Sequence, residues 1–189
     1  AIIWRGPLKI QAIRQFVAGM GWVKLDKLII DAPPGIGDEP LSVAQTIPHV
    51  KAVVVTTPQK VALADVRKSI NFCKTVKVEI AGVIENMSGF VCPHCNETVD
   101  IFSTGGGEAL ARELDLPFLG KIPMDPKVVM AGDEGAPYLT TEVDSPAGQA
   151  FAKVIASIVR RLPPVMAPPM GLNVAPSGGC SCGSGGCAS

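Results

Sequence analysis

Residues 80–84 read Ile-Ala-Gly-Val-Ile and lead directly into Glu85-Asn-Met-Ser-Gly-Phe-Val-Cys-Pro-His-Cys-Asn96. An apolar run without polar alternation predicts a strand that is buried on both faces, as in a parallel sheet. Three other runs have the same character: Leu28–Ile30, Ala52–Thr56 and Phe118–Ile122. We therefore expect four strands at these positions.

Helical periodicity occupies the stretches around these runs. The predicted helices are Leu8–Met20, Leu41–Ile47, Lys60–Cys73, Gly107–Leu114, Pro126–Ala131 and Pro146–Leu162. For the last of them, Asp144 or Ser145 is the expected N-cap, with Pro146 in the first turn. Strands that alternate with helices predict right-handed βαβ units, and hence an α/β fold with a mostly parallel sheet flanked by helices.

Composition limits the classes of function. The 189 residues are 47% hydrophobic, and 17 basic residues balance 17 acidic ones. This predicts one globular domain that binds neither nucleic acid nor an anionic membrane. There is no apolar run of about 20 residues and no signal-peptide pattern, which favours a cytoplasmic protein. From Pro163 the chain is rich in Pro, Gly, Ser and Cys, so we expect a folded part over 1–162 and a flexible tail over 163–189.

The spacing of the cysteines indicates metal chemistry. Cys92 and Cys95 can bind one soft metal centre, but no Cys or His outside this motif within about 20 residues completes a set of four ligands. Two copies of such a half-site, brought together on a dimer axis, would complete it. Cys73 is expected to be a small buried side chain. The C-terminal group Cys180, Cys182 and Cys187 is either a second soft-metal site or delivery arm, or a set of incidental thiols.

Polar residues that follow the apolar runs are candidates for nucleotide chemistry, because ligands of open α/β sheets bind beyond the carboxyl ends of the strands. Asp31 could hold a Mg²⁺-bound water, and Gly35 could present its backbone N–H to a terminal phosphate. The alternative is a Pro/Gly turn with a capping Asp. Asn86 could read a base edge or act as a cap. The loop at Pro123–Asp125 could border a base or simply precede a helix.

The glycine-rich stretch Gly105–Gly107 lacks the lysine and the glycine spacing of a Walker A loop. We therefore expect a flexible lead-in to the helix that follows it, not a phosphate site.

Taken together, seven motifs resemble the Mrp/ApbC-type iron-sulfur carrier ATPases. They are Trp4–Pro7, Asp31–Asp38, Thr57–Gln59, Glu85–Phe90, Cys92–Cys95, Gly105–Gly107 and Leu119–Pro123. Their order and spacing are highly specific, and the resemblance covers about residues 1–160. This family belongs to the deviant-Walker-A P-loop NTPases, which also include MinD, ParA and the nitrogenase iron protein.

The resemblance implies a role for each matching position. Asp31 would act at the Mg²⁺ shell and Gly35 beside the γ-phosphate of ATP or ADP. Asn86 would contact adenine, and Pro123 and Asp125 would border the base. Cys92 and Cys95 would bind a bridging 4Fe-4S cluster at the interface of a homodimer. Such a protein receives the cluster from an assembly scaffold, passes it to apo iron-sulfur proteins and hydrolyses ATP slowly.

Two departures from the family pattern stand out. In the family, the glycine-rich P-loop and its strand lie upstream of the Trp4–Pro7 segment, and no Walker A loop occurs in the 189 residues. We therefore expect a fold that is incomplete at the N-terminus and poor ATP binding by these residues alone. Ile36 stands where the family usually has Thr, which would weaken hydrolysis without abolishing binding.

Two other functions fit part of the pattern. The first is a MinD/ParA-like nucleotide switch without a cluster, although such a switch calls for a basic amphipathic helix near the C-terminus. The second is a dimer in which Cys92 and Cys95 bind structural zinc, because tetrahedral thiolate sites accept zinc as well as iron.

Overall fold

The computed structural model describes residues 6–19, 25–92, 95 and 97–164. Its helices are α1 (Gly6–Gly19), α2 (Asp38–Thr46), α3 (Lys60–Thr75), α4 (Gly106–Glu113), α5 (Pro126–Glu134), α6 (Tyr138–Thr141) and α7 (Pro146–Arg161). Its strands are β1 (Lys51–Thr56), β2 (Glu79–Val91), β3 (Thr98–Val99) and β4 (Phe118–Met124). Among the described residues, no helix is long and apolar enough to cross a membrane.

The sheet is organised around β2. Strands β1 and β4 both pair with β2 in parallel, and the short β3 pairs antiparallel with its C-terminal end. The register places Thr56 beside Glu85 and Glu85 beside Lys121. The predicted α/β architecture, a mostly parallel sheet flanked by helices, is confirmed.

The core lies on both faces of this sheet, as the continuous apolar runs predict. On one face Val83 packs with Ile70 of α3 and Leu110 of α4, and all three side chains are buried. On the other face Ile84 packs with Val154 of α7. Because neighbouring residues of a strand point to opposite faces, Val83 and Ile84 tie the two helical layers to one strand.

The strand predicted at Leu28–Ile30 does not form in the structure. These residues are exposed, and Ile29 retains 91% of its accessible surface. A strand is stabilised by hydrogen bonds to a neighbouring strand, and none of the strands in the described part of the chain pairs with this run. Apolar composition alone therefore gave a wrong prediction here.

Two stretches predicted as loops continue their strands. Glu85–Ser88 lies within β2, and Pro123 and Met124 lie within β4. The two strands pair up to Phe90 and Met124, with a register shift between Asn86 and Phe90. The strand β2 bends locally where the sequence predicted its end, since Met87 and Gly89 have positive φ of 56° and 77°.

Helix positions agree with the sequence pattern to within a few residues. Ser145 is the N-cap of α7, where its hydroxyl accepts a hydrogen bond from the Gly148 N–H, and Pro146 follows in the first turn. The short α6 was not predicted, because four residues carry too little periodicity. Outside the sheet, α1 packs against α2, and Lys9 forms an ion pair with Glu39 at 2.6 Å.

Replacement of Gly148 by alanine is expected to destabilise the fold. A β-carbon at Gly148 would lie 2.0 Å from the Glu142 carbonyl oxygen, which belongs to backbone and cannot easily move. We expect Gly148→Ala to lower the free energy of unfolding by about 1–3 kcal/mol, measured by urea denaturation. The matched control is Gly132→Ala in α5, where nothing lies within 4 Å, and no loss is expected there. Equal stability of the two variants would contradict this packing.

Candidate functional site

The buried carboxylate of Glu85 is the centre of the candidate site. Its side chain is 0% exposed and lies where β2 passes between Thr56 of β1 and Lys121 of β4. One carboxylate oxygen, Oε1, accepts hydrogen bonds from the Ser88 hydroxyl at 2.5 Å and the Gly105 N–H at 2.8 Å. The other, Oε2, accepts from the Gly107 N–H at 2.5 Å. A buried charge is tolerated only when it is hydrogen-bonded in this way.

The glycine-rich stretch is held by this carboxylate and is therefore not the flexible lead-in that the sequence predicted. Gly105 has φ of 84°, in the left-handed region. A β-carbon at Gly106 would lie 2.6 Å from the Pro58 carbonyl oxygen, and one at Gly107 would lie 2.8 Å from the Thr56 methyl group. The N-terminal end of α4 thus meets a carboxylate of the chain itself, at a position where other proteins bind anions.

Charged and polar residues continue the site at the surface. The Ser88 hydroxyl also lies 2.9 Å from the Thr104 hydroxyl. Lys121 forms an ion pair with Glu108 at 2.8 Å. The hydrogen bond that Lys121 donates to Glu108 raises the pKa of Lys121, and the charge of Glu85 contributes further in the same direction. Lys121 therefore stays protonated beside the buried carboxylate over the physiological range of pH.

Asn86, predicted to contact adenine, and Asp125, predicted to border the base, already have partners within the chain. Asn86 is half-buried in β2, and its Oδ1 accepts a hydrogen bond from the Met87 N–H at 2.9 Å. Asp125 is the N-cap of α5, with Oδ1 accepting from the Lys127 N–H at 2.9 Å. Its Oδ2 accepts from the Tyr138 hydroxyl at 2.5 Å. Asp125 therefore has a structural role, whatever else it contacts.

Tyr138 is the first residue of α6, and its hydroxyl contacts Asp125 and Ser145, the N-caps of α5 and α7. It therefore links three helices. Its hydroxyl lies 2.8 Å from the Ser145 hydroxyl at the start of α7, and its ring packs against that of Phe151 in a tilted arrangement with centroids 5.8 Å apart. Burial and the hydrogen bond to Asp125 raise the pKa of Tyr138. Sequence reasoning did not identify Tyr138, although it is the single tyrosine of the chain.

Cys92 and Cys95 lie in the connection between β2 and β3. Phe90 pairs with Val99, and Val91 pairs with Thr98. The Cys92 N–H donates to the Glu97 carbonyl at 2.9 Å, which extends this hairpin by one step. Cys92 is half-buried, and Cys95 is exposed in the turn. The hairpin therefore carries both thiols at its tip.

Within the described residues, no group of three or more His, Cys, Asp or Glu is placed to bind a metal ion. Two thiols on one turn are an incomplete site for a tetrahedral centre, as the sequence indicated. Several other residues singled out in the sequence lie outside the described residues: Trp4, Arg5, His94, Cys180, Cys182 and Cys187.

Asp31 and Gly35 lie in an exposed segment without regular structure. Gly35 has φ of 101°, which is compatible with a turn at this position. Asp31 forms no hydrogen bond or ion pair with the part of the chain that the structure describes. The structure therefore places Glu85 and Asn86 on β2 and the cysteine hairpin at its C-terminal end, and it shows no contact of Asp31 with these described residues.

Glu85 itself could have been recognised from the sequence. It is an acidic residue placed directly after a buried apolar run, and a Gly-Gly-Gly stretch follows about 20 residues later. Backbone N–H groups of glycines at a helix start are suitable donors for such a carboxylate. The prediction missed it because Glu85 was assigned to a loop.

Comparisons with known proteins agree with these features. Residues 1–159 match the ParA family, described as NUBPL iron-transfer P-loop NTPases. An iron-sulfur cluster carrier protein of Methanocaldococcus jannaschii is 49% identical over 162 residues, which are 85% of this chain and 55% of the relative. The cytosolic Fe-S cluster assembly factor NUBP2 of Bos taurus is 45% identical over 166 residues, covering 86% of this chain and 61% of the relative.

Solved structures extend the comparison to the fold. A nucleotide-binding protein of Archaeoglobus fulgidus in complex with ADP aligns with a TM-score of 0.62 and 36% identity, over 76% of this chain and 58% of that protein. The cell division ATPase MinD of Pyrococcus furiosus aligns with a TM-score of 0.56 over 85% of this chain and 63% of that protein. At 21% identity, the latter shows the fold alone. The predicted MinD-like fold and the family resemblance are confirmed.

The matched relatives are longer than this chain. The chain spans 55% of the Methanocaldococcus jannaschii protein and 61% of the Bos taurus protein.

Cys73 and Cys95 are expected to react with an alkylating reagent at different rates. Burial raises the pKa of Cys73 in α3, so less of its thiolate is present near neutral pH. We expect iodoacetamide to modify the exposed Cys95 before Cys73, as measured by mass spectrometry of the peptides over time. Faster modification of Cys73 would contradict its placement in α3.

Proposed function

This chain belongs to the ParA family of NUBPL iron-transfer P-loop NTPases, and from that membership we propose that it is part of an ATP-binding iron-sulfur cluster carrier. Two copies hold one 4Fe-4S cluster between them through Cys92 and Cys95, and the cluster is then transferred to apo-proteins. The carrier hydrolyses ATP slowly. The placement of both thiols on one hairpin tip is the observation that carries this proposal.

The chemistry of the half-site supports the proposed cargo. A cubane cluster takes four cysteine thiolates, and two symmetric copies of this hairpin supply four. An exposed site on a turn suits a cluster that must be both received and released, whereas a structural metal is more often enclosed by its own chain. The cluster is therefore the substrate that the protein transfers and not a resident cofactor.

For the nucleotide, we propose the roles that the family pattern gives to the matching positions. Asp31 orients a water of the Mg²⁺ shell, and Gly35 presents its N–H beside the γ-phosphate. Asn86 contacts adenine, while Pro123 and Asp125 border the base. The Met87 N–H occupies one lone pair of the Asn86 Oδ1, and the two N–H donors of the same amide can contact the base while this bond is kept.

The wider setting is also proposed. The protein acts in the cytoplasm as a homodimer that takes its cluster from an assembly scaffold and delivers it to apo iron-sulfur proteins. Residues 1–162 form part of the NTPase domain, and 163–189 are a separate extension rich in Pro, Gly and Cys. We expect no direct binding to nucleic acid or membrane.

Substitution of the hairpin cysteines tests the cluster assignment. After anaerobic reconstitution with iron and sulfide, we expect about four iron and four sulfide per dimer in the wild type. The double variant Cys92→Ser, Cys95→Ser should retain almost none, because alkoxide oxygens replace thiolates poorly as ligands of iron. The control Cys73→Ser, in α3, should keep its full complement.

Each alternative gives a different outcome in the same assay. If the wild type bound one zinc per dimer and no sulfide, the zinc-bridged structural dimer would replace the carrier. If the wild type bound ATP but neither metal, a MinD/ParA-like switch would replace it. If the double variant retained its cluster, the assignment of Cys92 and Cys95 would be wrong.

The role of Asp31 is tested by Mg²⁺-dependent ATP hydrolysis in the protein that includes the phosphate-binding loop. We expect Asp31→Asn to lower the rate on the order of a hundredfold, because it removes a charge aimed at the metal shell. The control Asp26→Asn changes an exposed acid in the same segment and should leave the rate unchanged. Equal rates in both variants would remove Asp31 from the proposed mechanism.

A further inference from the structure

The segment from Glu85 to Gly107 contains the end of β2, the hairpin to β3 and the approach to α4, and its two ends meet at one point. Glu85 lies at the start of this segment, Gly105 and Gly107 lie at its end, and all three meet through the Glu85 carboxylate. Ser88 and Thr104 form a second connection just above it, with their hydroxyl oxygens 2.9 Å apart. We refer to Glu85, Ser88, Thr104, Gly105 and Gly107 as the neck.

We propose that the neck is a positioning device for the cluster site, in which the Glu85 carboxylate fixes the hairpin that carries Cys92 and Cys95. This inference rests on the proposed function for its cargo. It adds a role for residues that make no contact with that cargo.

The hydrogen bonds trace how the neck acts on the thiols. The Ser88 hydroxyl donates to Glu85 and contacts Thr104. It therefore holds two limbs of the segment side by side, the outgoing one in β2 and the returning one that leads to α4. Beyond it, β2 pairs with β3, and then the Cys92 N–H bonds to the Glu97 carbonyl. An opening at the neck would separate the limbs and weaken this last bond. The spacing of the two thiols therefore depends on contacts far from sulfur.

A carboxylate suits this task better than a neutral side chain. It can accept three hydrogen bonds without donating any, and all three neighbours here are donors. Its charge also faces the N-terminal end of α4, where a negative group is favoured. Geometry held by charge-assisted bonds is rigid, and rigid support is what a metal site needs from residues around its ligands.

The ordinary alternative is that Glu85 only satisfies the start of α4 and has no effect on the hairpin. The two roles differ at Ser88, which touches the carboxylate but lies on the hairpin limb and donates no bond to α4. Ser88→Ala removes both the hydrogen bond to Glu85 and the contact with Thr104, and it leaves Glu85 bonded to both glycines. Thr104→Val removes the contact on the other limb with little change in shape.

Two substitutions elsewhere serve as matched controls. Ser157→Ala removes a serine hydroxyl bonded to the Lys153 carbonyl in α7. Thr140→Val removes a threonine hydroxyl bonded to the Pro137 carbonyl near α6. Glu85→Gln is a stronger neck variant, since its amide would direct N–H groups toward N–H groups. The circular dichroism spectrum of Glu85→Gln is first compared with that of the wild type. If Glu85→Gln does not fold, Ser88→Ala decides the question.

The test has one readout without metal and one with it. Amide hydrogen exchange by NMR follows Cys92, Gly105 and Gly107 in the metal-free chain. Chelator-driven release from the loaded dimer follows either the iron-sulfur cluster or Zn²⁺ alone. We expect Ser88→Ala to speed Cys92 exchange and metal release by roughly tenfold, since it removes a bond to a charged group. Thr104→Val removes a contact between two neutral hydroxyl groups, so we expect a smaller increase of about threefold. The controls should match the wild type in both readouts.

The outcomes separate the two proposals. If the neck variants released metal and exchanged Cys92 at the wild-type rate, the positioning role would be refuted even with a full cluster. If the wild type took Zn²⁺ but no cluster, the carrier function would fail, and the Zn²⁺ release rates would still decide the role of the neck. If it took neither metal, both proposals would be wrong.

Discussion

Glu85 places a carboxylate in the middle of an apolar sheet, and much of the local structure supplies the hydrogen-bond donors that this group needs. The residue lies between Thr56 and Lys121 in the register, so solvent cannot reach it from either neighbouring strand. Its three donors must come from the chain, and two of them are backbone groups at the start of α4. The start of α4 must approach closely to make these bonds, and this explains its glycines, since a β-carbon at Gly106 would collide with the Pro58 carbonyl and one at Gly107 with Thr56.

The same strand links the core to the proposed chemistry. Val83 and Ile84 anchor β2 in both apolar layers, and further along the chain the end of β2 and its turn present Cys92 and Cys95. A site at the end of a well-buried strand is positioned by the most stable part of the molecule, whereas its tip stays open to partners. That combination agrees with a carrier whose cargo must be held firmly and then surrendered.

Sequence patterns predicted most of the fold because the buried runs and helix caps are local signals. Ala52–Thr56 and Ser145 with Pro146 were placed correctly, since apolar runs and capping chemistry do not depend on distant residues. Leu28–Ile30 was misassigned because a strand depends on a neighbour that a local pattern does not reveal. The continuation of β2 beyond Glu85 was missed for the same reason, as its partners Lys121 and Ile122 come much later in the chain. The cysteine pair needed only its spacing to be recognised, while the neck depends on a contact across 20 residues.

Native mass spectrometry of the anaerobically reconstituted protein tests most directly whether two copies of this chain share one cluster. The mass of the assembly gives the number of chains, and the added mass gives the metal and sulfide in the same particle. We predict a dimer that carries one 4Fe-4S cluster and dissociates when the cluster is removed. A monomer with its own complete cluster, or a dimer without iron and sulfide, would contradict it.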